Sequence, residues 1–329
     1  MKQNLFNEAP PIIKGFLGYL GTIKGKSPKT VEEYYFDLRT FFRYIKKARG
    51  LVPADTEFKD ISISDVTIDL IKTIDLMQVF EYMNFLSTER KNKAAARSRK
   101  VSSLRSFFNY LTNKTGKLKI NPVKELESPK LKKSLPKYLT LEKSLELLSS
   151  VDGKTKERDY CMLVLFLNCG IRLSELVGLD FCDFDFSNLT MKITGKGNKE
   201  RIVYLNDACI TAIKNYMDVR PHDGVVDRNA LFLSGQKKRI SPKTVQFIVK
   251  KYLKKIGLGG PGYSVHKLRH TAATLMYQYG HVDIRVLKDI LGHENLGTTE
   301  IYTHLSSEQM ANAAKSNPLA NVKQNPSKK

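Results

Sequence analysis

The first 128 residues place apolar side chains three and four positions apart, which is the period of an α-helix. One such run follows Ser27, a residue suited to an N-cap, and stops at Gly50. A second run between Ser64 and Leu86 predicts one helix, or two separated by a break, and a third extends from about Ala94 to Leu111. We therefore predict an α-helical N-terminal domain over residues 1–128.

The periodicity is lost in residues 129–137, where Pro and Lys predominate, and we predict an extended basic linker there. Beyond it, two short segments, Thr190–Lys196 and Arg201–Leu205, predict strands joined by a glycine-containing turn. We predict a mixed, mostly α-helical domain with a small antiparallel β-sheet over residues 138–310, and a polar C-terminal tail over 311–329. Its helices are predicted at about 141–150, 155–168, 174–178, 207–219, 242–255, 266–279, 283–291 and 298–304.

The chain is strongly basic, because its 329 residues include 55 Lys and Arg against 33 Asp and Glu, a formal net charge of +22. The excess is shared: residues 1–128 carry 23 basic and 14 acidic side chains, and residues 129–329 carry 32 and 19. Such an excess usually faces a polyanion, and two basic bodies suit a protein that grips nucleic acid from two sides. An anionic membrane surface or a ribosome would account for the charge equally well.

Several classes of protein are disfavoured by what the sequence lacks. The apolar run Cys161–Leu167 is too short to span a bilayer and no signal peptide is visible, so we expect a cytoplasmic protein. The four cysteines form no CxxC pair and have no His at zinc spacing, which predicts neither a disulfide framework nor a zinc site. No acidic cluster that could hold a metal ion and no GxxxxGK(S/T) loop that could bind a nucleotide is visible.

The segment richest in chemistry is 265–306, VHKLRHTAATLMYQYGHVDIRVLKDILGHENLGTTEIYTHLS. His266 and Arg269 are three residues apart, so they project from one face of a helix. Gly292 falls where a left-handed residue is wanted to end the next helix. His293 then lies at the helix exit, with its side chain free to point into a cleft.

Three further positions carry side chains that could belong to the same site. Tyr302 is predicted one turn inside a last helix capped by Thr298. Arg172 follows a strongly apolar helix, where a cation at the edge of the core needs a carboxylate or an anionic ligand, and Glu175 could orient it. Lys196 occupies the glycine-flanked tip of the predicted hairpin, where its ammonium group could reach a phosphate.

The order of these side chains resembles the catalytic set of the tyrosine site-specific recombinases, the phage-integrase superfamily: Arg172, Lys196, His266, Arg269, His293 and Tyr302. The phrases GIRLSEL, TGKGNKER, HKLRHTAAT and LGHENLGTTEIYTH are most similar to the Xer branch, the recombinases that resolve chromosome dimers, and to related mobile-element integrases. The resemblance covers about residues 140–308. It implies a catalytic domain there and a SAM-like helical bundle that binds DNA ahead of it.

The resemblance implies that Arg172 and Arg269 hold the non-bridging oxygens of the scissile phosphate by charge-assisted hydrogen bonds. His293 would complete this clamp, and Glu175 would support it. These cations would take the part that Mg²⁺ plays in nucleases, so the resemblance implies that no metal is required.

The same resemblance makes Tyr302 the nucleophile, with His266 taking its proton and Lys196 protonating the departing 5′ oxygen. Lys199, three residues on, competes with Lys196 for this role. The covalent 3′-phosphotyrosine would retain the energy of the broken bond, so the resemblance implies that neither ATP nor another cofactor is needed.

DNA contacts are predicted on both domains. The basic cluster that opens the third N-terminal helix could follow the DNA backbone, or form an ordinary solvated helix face: Lys91, Lys93, Arg97, Arg99 and Lys100. Beside the hairpin, the candidates are Lys199 and Arg201. The segment ISPKTVQFIVKKYLKK resembles the segment that reads a major groove in Xer proteins, which would bring close to the DNA Lys243, Thr244 and Gln246.

The sequence thus predicts a recombinase whose two domains close on duplex DNA and exchange strands through a Holliday junction. The resemblance implies that four protomers, with or without a paralogue, act on two inverted-repeat-like sites in the nucleoid. It also implies that a DNA translocase can activate them and that the tail contacts a neighbouring protomer. Two alternatives stay open: an integrase or resolvase of a mobile element, and a catalytically inactive architectural or regulatory DNA-binding protein. A topoisomerase would use similar chemistry.

Overall fold

The computed structural model describes residues 6–129, 137–195, 199–260, 262–280, 282–292 and 299. The chain divides into two compact units, Met1–Lys133 and Ser134–Lys329. Each unit has its own apolar core. Residues 130–136 of the predicted linker lie outside the described residues, and the domain limits drawn from the sequence stay predictions.

The regular structure described in the first unit is helical. It consists of α1 (Pro11–Gly18), α2 (Pro28–Ala48), α3 (Ile68–Lys72), α4 (Leu76–Thr88) and α5 (Ala94–Asn113). Three of these helices begin at a side chain that accepts a backbone N–H of the first turn: Ser27, Thr67 and Asp75. The helices predicted from periodicity are confirmed, with a break between α3 and α4, whereas α1 has no counterpart among them.

Aromatic side chains fill the core of the first unit. Phe41 and Phe42 of α2 are fully buried and meet Phe107 and Phe108 of α5 edge to face, with ring centroids 6.3 Å apart for Phe41 and Phe108 and 5.9 Å apart for Phe42 and Phe107. Truncating one such ring to alanine typically costs about 3–5 kcal/mol. These aromatic residues of α2 therefore hold the bundle together and are not available to stack on bases.

The second unit combines seven described helices with a small sheet. The helices are α6 (Leu141–Ser149), α7 (Lys156–Cys169), α8 (Leu173–Gly178), α9 (Asp207–Val219), α10 (Pro242–Lys255), α11 (Val265–Gln278) and α12 (Ile284–Leu291). The strands are β1 (Phe184–Asp185), β2 (Thr190–Thr194) and β3 (Glu200–Tyr204). They pair antiparallel in the order β1-β2-β3.

The predicted hairpin is confirmed as β2 and β3, in a register that pairs Thr190 with Tyr204 and Thr194 with Glu200. The strand β1 is an addition to the prediction, because two residues are too short to give an alternating pattern. The predicted helices are confirmed within a residue or two, except that the one at 298–304 lies outside the described residues. None of the helices in the described ranges is long and apolar enough to cross a membrane.

Helix α7 forms the centre of the second unit. Its residues from Cys161 to Leu167 are all buried, and it packs between α9 and α11. It ends at Gly170, whose φ of 59° lies in the left-handed region, and a Cβ there would come within 2.7 Å of Leu291 Cδ2. Only glycine suits both conditions, so the chain leaving α7 runs directly against the end of α12.

Candidate active site

Arg172 lies just beyond the end of α7, where it is the N-cap of α8. Its backbone N–H donates to Glu175 Oε2 at 2.8 Å, its Nη1 donates to Glu175 Oε1 at 2.6 Å, and its Nη2 donates to the carbonyl of Gly292 at 2.9 Å. The side chain is 34% exposed. The predicted pairing with Glu175 is confirmed, and the guanidinium keeps an accessible edge.

Glu175 is a buried carboxylate that also holds Arg201 of β3. Arg201 Nη1 donates to Oε1 and Nη2 donates to Oε2, both at 2.9 Å. Burial opposes the ionisation of Glu175, but hydrogen bonds from Arg201 and Arg172 outweigh it and lower the pKa to about 2. Glu175 is therefore ionised at neutral pH and fixes two guanidinium groups at once.

Arg269 projects from α11 into the interior and is only 3% exposed. Its Nη1 donates to the carbonyl of Gly170 at 2.7 Å and its Nη2 donates to the carbonyl of Leu291 at 2.6 Å. It thus ties α11 to the ends of α7 and α12. A guanidinium that lines the adjoining pocket is suited to binding an anion there.

Three consecutive carbonyls at the end of α12 each accept a hydrogen bond from a different arginine. Ile290 accepts from Arg201 Nε at 3.0 Å, and its two successors accept from Arg269 and Arg172. The last carbonyls of a helix have no partner within the helix and carry its negative dipole end. The guanidinium groups satisfy these carbonyls, and the carbonyls in turn hold the guanidinium groups in place.

His266 precedes Arg269 by one turn of α11 and keeps its ring partly exposed. Partial burial and the positive charges of Arg269, Lys267 and Arg172 lower its pKa below the usual value. Its ring meets that of His270 edge to face, with centroids 4.6 Å apart, and burial together with the neighbouring charges lowers the pKa of His270 to about 4. Both imidazoles are therefore neutral near pH 7, so His266 can accept a proton.

One pocket of about 550 Å³ brings three of the predicted catalytic residues together: Arg172, His266 and Arg269. Its opposite wall comes from α10, through Gln246 and Lys250. No carboxylate is among the described residues that line it, since Glu175 lies buried behind Arg172. The pocket therefore concentrates positive charge and hydrogen-bond donors, which suits a phosphodiester.

The other half of the predicted catalytic set lies outside the described residues, namely Lys196, His293 and Tyr302. The described chain reaches their sequence neighbours. The backbone N–H of Gly195 donates to the Lys199 carbonyl at 2.8 Å, and a Cβ on Gly195 would lie 3.4 Å from Glu175 Oε1. The base of the hairpin is thus placed beside the carboxylate that orients Arg172.

Arg201, predicted to contact DNA, uses its guanidinium on Glu175 and Ile290 within the domain. We assign it a positioning role instead. Sequence reasoning missed this role because the partner carboxylate is 26 residues away and the carbonyl partner has no side-chain signature. Lys199, the other candidate beside the hairpin, is exposed.

In the first unit, the basic cluster at the start of α5 separates into two groups. Lys91 and Lys93 are exposed, and Arg97 donates to Ser87 Oγ and to the Asn92 carbonyl. Lys100 is buried and donates to Asp37 Oδ1 at 2.7 Å, while Arg99 pairs with Asp37 and Glu33. Burial removes Lys100 from any phosphate, so its position does not support the predicted DNA contact.

Helix α10 carries the remaining predicted contacts. Lys243 and Gln246 are exposed, whereas Thr244 supports the N-cap, with its N–H donating to Ser241 Oγ at 3.1 Å and its hydroxyl 2.9 Å from the same atom. Lys250, which sequence reasoning missed, joins Gln246 on the pocket wall because it lies four residues further along the helix.

The described residues contain no cluster of three or more His, Cys, Asp or Glu side chains able to hold a metal ion. Cys161, Cys169 and Cys209 are buried thiols and Cys182 is an exposed thiol. The positive charge described in the pocket therefore comes from arginine and lysine side chains.

Comparisons with known proteins match both units of the chain. Residues 137–309 match the phage integrase family, and residues 13–115 match the phage integrase N-terminal SAM-like domain. The chain is 54% identical to the tyrosine recombinase XerC of Caldanaerobacter subterraneus subsp. tengcongensis, over 97% of this chain and 91% of that protein. It is 36% identical to the tyrosine recombinase XerC of Thermodesulfovibrio yellowstonii, over 94% of this chain and 96% of that one.

A solved structure shows the same fold. It is a XerH site-specific recombinase bound to a palindromic difH substrate in a post-cleavage complex, with a TM-score of 0.68 and 23% identity over 93% of this chain and 94% of that one.

Proposed function

The chain belongs to the phage integrase family, in the Xer branch of the tyrosine recombinases, and we propose that it cuts and rejoins duplex DNA through Tyr302. The observation that supports this best is the pocket shared by Arg172, His266 and Arg269, which no carboxylate of the described residues lines. We propose that this pocket holds the scissile phosphate, that Lys196, His293 and Tyr302 complete the site around it, and that the substrate is a specific recombination site.

Phosphate binding depends on how the two arginines are held. Arg172 is fixed on one side by Glu175 and the Gly292 carbonyl, and Arg269 by two carbonyls, so neither side chain has to reorganise when the phosphate arrives. Fixed donors favour the pentavalent transition state because its equatorial oxygens carry more charge than the ground state. Loss of one such donor typically costs about 10²–10³ in rate.

In the cleavage step, the Tyr302 oxygen forms a bond to phosphorus as the bond from phosphorus to the 5′ oxygen breaks. The phenol, with an ordinary pKa of about 10, loses its proton to the neutral imidazole of His266. Lys196 gives a proton to the departing 5′ oxygen, and His293 joins the phosphate clamp. The products are a 3′-phosphotyrosine and a free 5′-hydroxyl, and the reverse attack by another 5′-hydroxyl reseals the strand.

We propose that four protomers act on two sites and exchange strands through a Holliday junction, in the manner implied by the family resemblance. We propose, as the resemblance to the Xer branch implies, that the protein resolves dimers of the chromosome or a plasmid in the cytoplasm, on nucleoid DNA. Its similarity to two XerC recombinases favours this role over one in a mobile element. The N-terminal domain, residues 1–128, would bind the same duplex, and the tail at 311–329 would contact a neighbouring protomer. A paralogue and a DNA translocase are candidate partners.

A suicide DNA substrate tests the proposal. Candidate sites from the source genome are nicked beside the presumed cut so that the strand cannot be resealed, and the protein is incubated with them in EDTA. We expect a covalent protein–DNA band with the wild type and none with Tyr302→Phe. A band that persists in Tyr302→Phe would reassign the nucleophile, and tight binding with no band at any site would favour the inactive DNA-binding alternative.

A further inference from the structure

Helix α10 presents one continuous exposed face whose function is only partly assigned above. Its inner face is buried in the main core of the second unit, through Val245, Ile248, Val249, Tyr252 and Leu253. Its outer face consists of residues three or four positions apart: Lys243, Gln246, Phe247, Lys250 and Lys254. We call this set the α10 strip.

No carboxylate of the described residues neutralises the lysines of the α10 strip. Among the described residues, no carboxylate lies within 4 Å of Lys243, Lys250 or Lys254, whereas Lys255 on the flank of the helix pairs with Asp152 at 2.5 Å. Unpaired lysines repeated along one helix face repel one another, and a polyanion laid along them relieves that repulsion. The charge of the strip is therefore suited to binding nucleic acid.

The α10 strip is continuous with the candidate active site. Gln246 and Lys250 line the same pocket as Arg172 and Arg269, so a phosphodiester held by the arginines lies directly against this helix. The major groove of B-DNA admits one α-helix. If the pocket binds a duplex phosphate, the neighbouring groove is within reach of the strip.

Phe247 is the exception on this basic strip, because it is a large apolar side chain that is 71% exposed. The major groove offers one apolar feature, the C5-methyl of thymine, and phenylalanine is one of the side chains that contacts it. We infer that Phe247 recognises a thymine methyl in the recombination site and so helps to set the sequence preference. The inference rests on the proposed function.

The test replaces thymine by deoxyuridine, which removes the methyl and leaves every base-pairing group unchanged. A duplex selected by the wild-type protein from a random library is remade with uracil at one thymine at a time, and binding is measured by mobility shift. We expect one position at which the wild type loses about fourfold in affinity, the value for a methyl-sized apolar group worth about 0.8 kcal/mol. Phe247→Ala should bind the thymine and uracil duplexes equally well.

Two variants separate this contact from general DNA binding. Phe247→Leu keeps an apolar group and should retain part of the preference for thymine. Lys250→Met should weaken binding to both duplexes by the same factor and make the salt dependence shallower, because a phosphate contact does not depend on the identity of the base. Phe247→Ala should leave the salt dependence unchanged.

The outcomes also separate the inference from the function on which it rests. If no thymine shows a methyl effect, or if Phe247→Ala keeps the whole effect, the inference is wrong while specific binding and the covalent band still support a recombinase. If the wild type selects no sequence and forms no covalent band, both the inference and the proposed function are overturned.

Discussion

Arg201 donates one hydrogen bond to each carboxylate oxygen of Glu175, both at 2.9 Å, and Glu175 binds Arg172 through the same two oxygens. One buried carboxylate therefore links a strand of the small sheet to Arg172, which we propose binds the scissile phosphate. Arg201 does not line the pocket, so it affects the reaction only through the residues that it holds.

We predict that Arg201→Lys lowers covalent-complex formation without weakening DNA binding. Lysine keeps the charge but cannot bind both carboxylate oxygens and the Ile290 carbonyl together, so Glu175 and Arg172 lose their fixed geometry. The expected loss is about tenfold or more in single-turnover cleavage of the suicide substrate. Arg228→Lys serves as the matched control, because Arg228 is not among the residues that line the pocket. Equal loss of binding and cleavage would contradict a positioning role.

Glu175 should make stability depend on pH in the acid range. Its pKa is about 2 in the folded protein against an ordinary 4.5, so its contribution to the free energy of unfolding is complete above about pH 5 and is lost as the pH falls towards 2. Glu175→Gln should lack this contribution, which is about 3 kcal/mol at pH 7. Urea unfolding at several pH values measures both proteins, and we expect their difference to shrink as the pH falls.

Glu146→Gln is the control for that comparison. Glu146 is about half exposed and pairs with Lys143 within α6. An exposed pair of this kind contributes about 0.5 kcal/mol or less at any pH. A constant difference between the wild type and Glu175→Gln from pH 7 to pH 3 would show that the ion pairs of Glu175 do not account for its contribution.

The proposed role of His266 as the acceptor of the Tyr302 proton predicts how the cleavage rate falls at acid pH. Partial burial and nearby cations lower its pKa, so the base form persists below pH 6.5 and the rate should fall only at lower pH. Lys267 is one of these cations, and Lys267→Gln should move the limb to higher pH. Single-turnover cleavage between pH 5 and 8 measures the shift, and identical profiles for the two proteins would argue against titration of His266.

Helical periodicity was sufficient to predict most of the fold, because helices such as α2, α5 and α10 bury one apolar face. The resemblance to the tyrosine recombinases also implied that Arg172, His266 and Arg269 belong to one site, and the three line one pocket. The uses of Arg201 and Lys100 could not be predicted, since each depends on a carboxylate brought close by folding, 26 and 63 residues away. Basic residues look alike in sequence, whether they face solvent or neutralise a buried acid.

We therefore predict that substitution of Lys100 changes stability, whereas substitution of Lys91 changes the salt dependence of DNA binding. Lys100→Met leaves Asp37 with one partner fewer and should lower the free energy of unfolding by about 2 kcal/mol, with the salt dependence of DNA binding unchanged. Lys91→Ala at the exposed start of the cluster should leave stability unchanged and reduce the salt slope by about 1 if it contacts a phosphate. Thermal or urea unfolding and salt titrations of binding distinguish the two.

The end of α12 limits the range of temperature in which the enzyme is active. This helix is anchored through a small apolar cluster of its own, Ala273, Leu287 and Leu291, separate from the main core. Elements with few apolar contacts open by local unfolding well before the whole domain melts. Because the last carbonyls of α12 accept from Arg172, Arg201 and Arg269, fraying of this one turn would remove one hydrogen bond from each of the three guanidinium groups at once. We therefore expect heating to abolish the activity reversibly at temperatures at which most of the helices remain intact.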